Sequence, residues 1–193
     1  EGLRGNGTRI LSEIEFAAQS TSATLIGITG TNGKTTTAMM TYEILKKSGF
    51  HVGLAGNIGS SFAKQVAEED FDYYVLEISS FQLDDIDQFS PHIAVITNIT
   101  SDHLDRYGYS FESYIQAKLK ITKNQSSNNF FLFNSDDELL VKSLSNYKIN
   151  AQKIPFGTLD EHASGSYLED DRLILKHQNQ TTMIYSVEFP FSG

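Results

Sequence analysis

No cysteine occurs among the 193 residues. Disulfides, thiolate metal sites and a cysteine nucleophile are therefore excluded, and such a chain suits a reducing cytosol. Basic residues are scarce: 15 Lys and Arg against 24 Asp and Glu leave a net charge of −9. That balance argues against a nucleic-acid binder, which needs a basic face to neutralise phosphates, and against adsorption to an anionic membrane. No apolar run approaches the ~20 residues that span a bilayer. Residues 1–8 lack the apolar core of a secretory signal. What is present is ordinary: 39% hydrophobic and 20% charged residues, at a length that suits one fair-sized domain, or a domain and a half, with a real core. The first residue is not Met, so a piece of a longer chain is expected.

Strand and helix signals alternate along most of the chain. Residues 9–19 have apolar residues at helical spacing. Residues 24–29 (TLIGIT) form a compact β-rich run ending at glycine, as a buried strand does. A helix is expected over 34–48, with Gly49 placed to end it. Strands are expected at 50–55, 72–78, 92–99 and 130–133, and helices at 58–69, 111–123 and 136–145. The predicted fold class is therefore α/β: a P-loop-type, mostly parallel sheet flanked by helices. Beyond about residue 154, glycine and polar residues dominate. Residues 167–168, 173–176 and 182–187 there read as short antiparallel strands, a small section near the C-terminus.

Residues 26–37 (IGITGTNGKTTT) place a glycine-rich turn ending Gly33-Lys34-Thr35 between the first strand and the following helix. Gly30 and Gly33 have no Cβ, so backbone N–H groups can approach phosphate oxygens closely. The helix N-terminus beyond favours anions. Lys34 would meet the β- and γ-phosphates, and the Thr35 hydroxyl would face Mg²⁺. The common pattern has glycine where Ile28 stands, with Gly27 one place early, so Thr29, Gly30, Thr31, Asn32 and Gly33 must turn the loop as a variant. Thr36 and Thr37 fall in the first helical turn. A nucleotide site also needs a metal-holding acid on a neighbouring strand. Glu77, after Tyr73-Tyr74-Val75-Leu76, would stand at the carboxyl end of a parallel strand, where open α/β sheets bind ligands. His103, between Asp102 and Asp105 after the fourth strand, has the company of a metal ligand. Spacing alone leaves Lys118 and Lys120 on a solvated helix face. The other four histidines receive no role.

Thr29-Gly30-Thr31-Asn32-Gly33-Lys34-Thr35-Thr36 resembles the ATP loop of the Mur ligases, including its variant first position. Gly56-Asn57-Ile58-Gly59 and Asp102-His103-Leu104-Asp105 are of the same type. Leu76-Glu77-Ile78-Ser79-Ser80-Phe81-Gln82-Leu83 is similar to the D-glutamate-adding members; the tripeptide-forming members tend to have His-Ala in place of Phe-Gln. Asp102 to Tyr107 followed by Ala117-Lys118-Leu119-Lys120-Ile121 agrees. The resemblance is strong over about residues 10–140 and weak in the tail.

The resemblance implies a central ATPase domain over 23–193, cut before the C-terminal domain. Residues 1–22 would be a linker and short helix from an N-terminal domain. It implies a bacterial, cytoplasmic enzyme of peptidoglycan precursor synthesis, expected to be a monomer and inactive as this fragment alone. ATP would activate the carboxylate of UDP-N-acetylmuramoyl-L-alanine as an acyl phosphate, which the amine of D-glutamate attacks. Residues 29–36, Thr36 included, would bind nucleotide. Thr35 and Glu77 would hold one Mg²⁺, and His103 a second, with Asp102 orienting that site. Asn57, Ser79 and Gln82 would contact the muramoyl-alanine end. Lys118 corresponds to a lysine that the family carbamylates with CO₂, which adds only to the neutral amine and yields an anion able to bind metal. Lys34, Lys118 and His103 would be the catalytic set. The alternatives are another Mur-type ligase, a folylpolyglutamate synthetase, or a nucleotide-binding module without turnover. A switch GTPase is disfavoured, because Asn134-Ser135-Asp136-Asp137 lacks the lysine of a base-reading motif.

Overall fold

The computed structural model describes residues 10–100, 107–108, 110–158, 164–169, 172–177 and 180–185. In chain order the elements are α1 (Glu13–Ala18), β1 (Thr24–Thr29), α2 (Lys34–Lys47), β2 (Val52–Gly56), α3 (Phe62–Glu68), β3 (Tyr73–Glu77), α4 (Ser80–Asp84), β4 (Ile93–Ile96), α5 (Phe111–Leu119), β5 (Phe130–Asn134), α6 (Glu138–Leu144), β6 (Gln152–Phe156), β7 (Gly165–Glu169), β8 (Arg172–His177) and β9 (Gln180–Tyr185). A 3-10 turn at Lys120–Thr122 continues α5.

These nine strands join one sheet in the order β2-β3-β1-β4-β5-β6-β7-β8-β9. Pairing is parallel from β2 through β7 and antiparallel from β7 through β9. The expected mostly parallel sheet with a small antiparallel section is what the chain builds, and the antiparallel strands extend the same sheet. From β1 the chain runs out to β2 and back to β3, then crosses to β4 on the other side of β1. That reversal opens a crevice at the carboxyl ends of β1, β3 and β4, where such sheets bind ligands.

Side chains alternate across the strands, so each face has its own core. Tyr74, Leu76, Ala94, Ile96 and Phe131 pack with Ile14, Phe62, Leu83, Tyr114, Leu119 and Leu140 on one face. Ile26, Ile28, Val52, Val75 and Val95 pack on the other with Ala38, Tyr42 and Leu45 of α2.

Helices α2 and α5 begin where expected, at Lys34 and Phe111, while three other starts fall later than periodicity suggests because capping side chains set them. The first helix begins at Glu13, since Ser12 is extended and its hydroxyl accepts from Glu15 N. Likewise α3 begins at Phe62, capped by Ser61, and α6 at Glu138, capped by Asp137. Two elements go beyond what the sequence predicts. Helix α4 is only five residues long, too short to show a period, and is held by the Ser79–Gln82 capping box. Strand β6 contains Pro155, which argues against an interior strand. Here Gln152 N donates to Asn129 O and Phe156 O accepts from Ser135 N, so the even residues bond towards β5. The ring nitrogen of Pro155 therefore faces β7, where Phe156↔Ser166 is the one registered pair, and no bond to β5 is lost.

One buried charge ties α1 to this body. Glu15 is 1% exposed. Its carboxylate accepts from the backbone N–H groups of Asp87, Gln88 and Phe89 and from Gln19 Nε2 at 2.7–3.1 Å. Burial pushes its pKa up, but the hydrogen bonds from Asp87, Phe89, Gln88 and Gln19 outweigh it, and the net shift is downward. Glu15→Gln puts an NH₂ group against backbone donors, and a loss of about 3 kcal/mol is expected, measured by urea denaturation at neutral pH. Because the folded pKa is depressed, the contribution is complete above the ordinary carboxylate range. It is lost as pH falls through the folded value, so wild type and Glu15→Gln converge in acid. A gap that stays constant with pH would refute the charged-latch account.

Candidate functional site

The turn between β1 and α2 owes its shape to two glycines. Gly33 caps α2 with φ 76, a left-handed conformation that favours glycine. Gly30 has φ 148, and a Cβ there would overlap the Thr97 hydroxyl. At Gly30 the glycine thus admits a neighbouring loop, in addition to the open backbone that the sequence suggests.

That neighbour, residues 97–100 after β4, braces the turn throughout. Thr97 Oγ1 and Asn98 Nδ2 donate to Asn32 O (2.7 and 3.0 Å), and Asn98 Oδ1 accepts from Asn32 N (2.9 Å). Asn98 O accepts from Thr31 N at 2.9 Å. Thr31 Oγ1 donates to Thr100 O and accepts from Thr100 N. Thr29 is fully buried, so it serves the turn through its backbone: Thr29 O accepts from Thr97 N. Lys34 Nζ donates to Thr31 O at 2.7 Å. Thr36 lies in the first turn of α2.

Glu77 ends β3, and strand alternation sends its side chain to the face that α2 covers. There Glu77 Oε2 accepts from Thr35 Oγ1 at 2.7 Å, and Glu77 Oε1 accepts from Asn57 Nδ2 at 2.8 Å. Asn57 is itself held by its N–H to Glu77 O. Glu77 is 2% exposed. Residues 35, 57 and 77, far apart in sequence, thus meet at one strand end.

Lys118 is 2% exposed on α5. Its ammonium donates to Gly30 O at 2.8 Å and lies 4.6 Å from the centre of the Tyr114 ring. The expected solvated position is overturned: Lys118 lies on the stripe of Phe111, Tyr114 and Ile115, and α5 turns it inward onto the glycine-rich turn. A cavity of about 230 Å³ opens between these groups, lined by Thr31, Lys34, Asn57, Ser79, Tyr114 and Lys118 together with Ser80 and Phe81. Ser79 faces it. Gln82 does not line it, and its Oε1 accepts from Ser79 N (3.0 Å) within the capping box. Asp102 and His103 lie outside the described residues.

Tyr114 and Thr97 belong to this site without having been singled out by sequence; Asn98 and Thr100 open the stretch 98–107 around His103, which the sequence marks, and they hold the turn. Tyr114 looks like any core position of an amphipathic helix, yet its OH lies 3.2 Å from Thr31 Oγ1. Nearby, Tyr107 stacks on Phe81 with ring centres 6.3 Å apart and donates to Asp84 Oδ2, while Asp84 Oδ1 meets Lys120 Nζ at 2.7 Å. Burial, joined by the Asp84 charge against an opposing bond with Ser80, pushes the Tyr107 phenol up to about 12. It is therefore a neutral donor at physiological pH. Among the described residues, no three His, Cys, Asp or Glu cluster to hold a metal by themselves, and no helix is long and apolar enough to cross a membrane.

A parallel sheet with a glycine-rich turn, a lysine at the start of the next helix and a carboxylate paired to the threonine beside it is the frame of a P-loop-type phosphate site. The family model described as the Mur ligase middle domain matches residues 28–192, and the chain belongs to the Mur ligase family. It is 51% identical over 173 residues to the UDP-N-acetylmuramoylalanine–D-glutamate ligase of Bacteroides fragilis, covering 90% of this chain and 39% of that one. It is 42% identical over 191 residues to the enzyme of that name from Christiangramia forsetii, covering 99% and 43%. The chain thus spans about two fifths of the length of these curated relatives. Among solved structures, the fold is similar to MurF ligase from Thermotoga maritima in complex with ADP, with TM-score 0.62 and 23% identity over 89% of this chain and 43% of that one. It is also similar to a UDP-N-acetylmuramoyl-L-alanyl-D-glutamate–2,6-diaminopimelate ligase, with TM-score 0.64 and 21% identity over 85% and 39%.

Proposed function

We propose that residues 23–193 are the ATP-binding domain of a ligase that joins D-glutamate to UDP-N-acetylmuramoyl-L-alanine, and that residues 1–22 lead in from a preceding domain. The observation that carries the reading is one cavity beside the glycine-rich turn lined by Lys34 and Lys118, with the Thr35–Glu77 pair joined to its wall through Asn57. The names of the relatives at 40–51% identity support the choice of substrates.

In this reading, the backbone N–H groups of residues 33–36, at the N-terminus of α2, cradle the phosphates, while those of Thr31 and Asn32 stay bonded to Asn98. Lys34 exchanges its bond to Thr31 O for the phosphate oxygens. Thr35 and Glu77 present two hard oxygens 2.7 Å apart, with Asn57 fixing the other carboxylate oxygen, a donor set that fits Mg²⁺. When bound, Mg²⁺ neutralises charge on the phosphates. The substrate carboxylate attacks the γ-phosphorus, ADP leaves, and the resulting acyl phosphate is attacked by the amine, which loses a proton as phosphate departs. Asn57 and Ser79 line the cavity that would take the muramoyl-alanine end. Gln82 contributes by capping the helix that carries Ser80 and Phe81. The family resemblance gives His103, oriented by Asp102, a second Mg²⁺. Lys118, beneath Gly30 and over Tyr114, is the site for a carbamate once its amine is neutral. A plain ammonium at Lys118 in crystals grown with Mg-nucleotide would count against that modification.

The test is phosphate release by the intact protein. Release should require ATP, UDP-N-acetylmuramoyl-L-alanine and D-glutamate together. Release supported equally by a different amino acid or by a folate would overturn the substrate assignment.

A further inference from the structure

We infer that Asp137 is a positioning residue for the phosphate loop, because its carboxylate ties residues 97–100, which brace that loop, to the start of α6. The inference rests on the nucleotide-binding reading of residues 29–36 given above.

A helix cap needs one oxygen. Asp137 Oδ1 fills that role, accepting from Leu140 N at 3.0 Å. Its other oxygen, Oδ2, accepts from Ile99 N at 2.6 Å, across 38 residues of sequence, and is the shorter of the two bonds. A charged acceptor makes the stronger kind of hydrogen bond. Ile99 is 1% exposed, so its N–H cannot turn to water instead. The bond falls in the middle of the bracing segment. Thr97 and Asn98 on one side hold both the N–H and the C=O of Asn32. Thr100 on the other holds the Thr31 hydroxyl. That hydroxyl lies 3.2 Å from Tyr114 OH, and Thr31 O accepts from Lys34. From Asp137 to Lys34 the link thus runs along the backbone of residues 97–100 and through Thr31, with a short hydrogen bond at each crossing between segments. The carboxylate itself touches neither the turn nor the cavity. Serine at 137 would still cap α6 but would be too short to span to Ile99. The loop would keep its sequence and lose its brace.

The experiment measures Mg·ADP affinity by calorimetry and the melting temperature, both on the intact protein, for wild type, Asp137→Ser and Ser61→Ala. Ser61 caps α3, away from the loop, and controls for the loss of a cap. Asp137→Ser should weaken Mg·ADP about tenfold, while Ser61→Ala lowers the melting temperature and leaves affinity within about twofold. Wild-type affinity in Asp137→Ser would mean that Asp137 is a cap and nothing more. If Asp137→Ser does not fold, Asp137→Asn decides. Asparagine caps as well as aspartate but offers one oxygen to two donors, so weakened binding supports the brace and unchanged binding overturns it. A wild type that does not bind Mg·ADP overturns both the inference and the reading beneath it. A wild type that binds Mg·ADP yet releases no phosphate with the acyl and amine substrates overturns the ligase assignment alone.

Discussion

Lys34→Ala in the intact protein is expected to lower turnover roughly a thousandfold while leaving the melting temperature almost unmoved. The fold gives up one hydrogen bond, from Lys34 Nζ to Thr31 O, and a bond of that kind has a net worth of about 1 kcal/mol. In the proposed reaction the catalytic loss is larger, because charge moves onto the transferring phosphoryl oxygens and a preorganised cation there stabilises it. Arginine at position 34 keeps the charge but not the compact ammonium that meets Thr31 O in the structure, so it should restore only a small part of the rate. Single-turnover formation of ADP, measured beside thermal melting, checks both statements. A Lys34→Ala rate within about tenfold of wild type would show that the loop does not hold the reacting phosphate.

Glu77→Gln should raise the Mg²⁺ concentration needed for half-maximal turnover roughly a hundredfold, with little change in fold. Glutamine has nearly the same shape and can still accept from Thr35 Oγ1, so the packing of β3 against α2 survives. What it lacks is the second anionic oxygen, and a hard divalent cation is held by charge. Against Asn57 Nδ2 the new NH₂ also replaces an acceptor with a donor, which loosens the Gly56–Asn57 turn. A Mg²⁺ titration of initial rate at saturating ATP separates the two effects: a loss rescued by Mg²⁺ belongs to the metal, and a loss that is not rescued belongs to Asn57. An unchanged Mg²⁺ dependence would remove Glu77 from the metal site.

Much of this molecule was legible in its sequence because the signals were local. The run TLIGIT is all apolar or small with β-branched residues, and it forms β1 over the expected range. Gly33-Lys34-Thr35 marks the start of α2 whatever surrounds it, since the left-handed cap and the helix N-terminus are properties of adjacent residues. Glu77 could be placed at a strand end because four apolar or aromatic residues precede it. Alternation then determined its face. Absence of cysteine and shortage of basic residues closed off whole classes of chemistry before any element was placed.

Other features depended on residues that meet only when the chain is folded. Lys118 shares the helical spacing of Phe111, Tyr114 and Ile115, so its inward face follows from the period; what it meets there, the Gly30 carbonyl, is decided by the packing of α5 under the crevice. Tyr114 and Thr97 carry no local mark, because their importance lies in hydrogen bonds to a turn 65 to 83 residues away in sequence. Strand β6 is tolerated because neighbouring strands leave the Pro155 nitrogen without a bond to make, which no window of sequence around it reveals. Which short stretches turn, cap and extend was readable from the residues alone, since torsional preference and side-chain period act over a few positions. Tertiary structure alone decided which distant polar groups share one crevice, and that the carboxylates of Glu15 and Asp137 hold separate segments in register, since those bonds exist only after the sheet has brought its strand ends together.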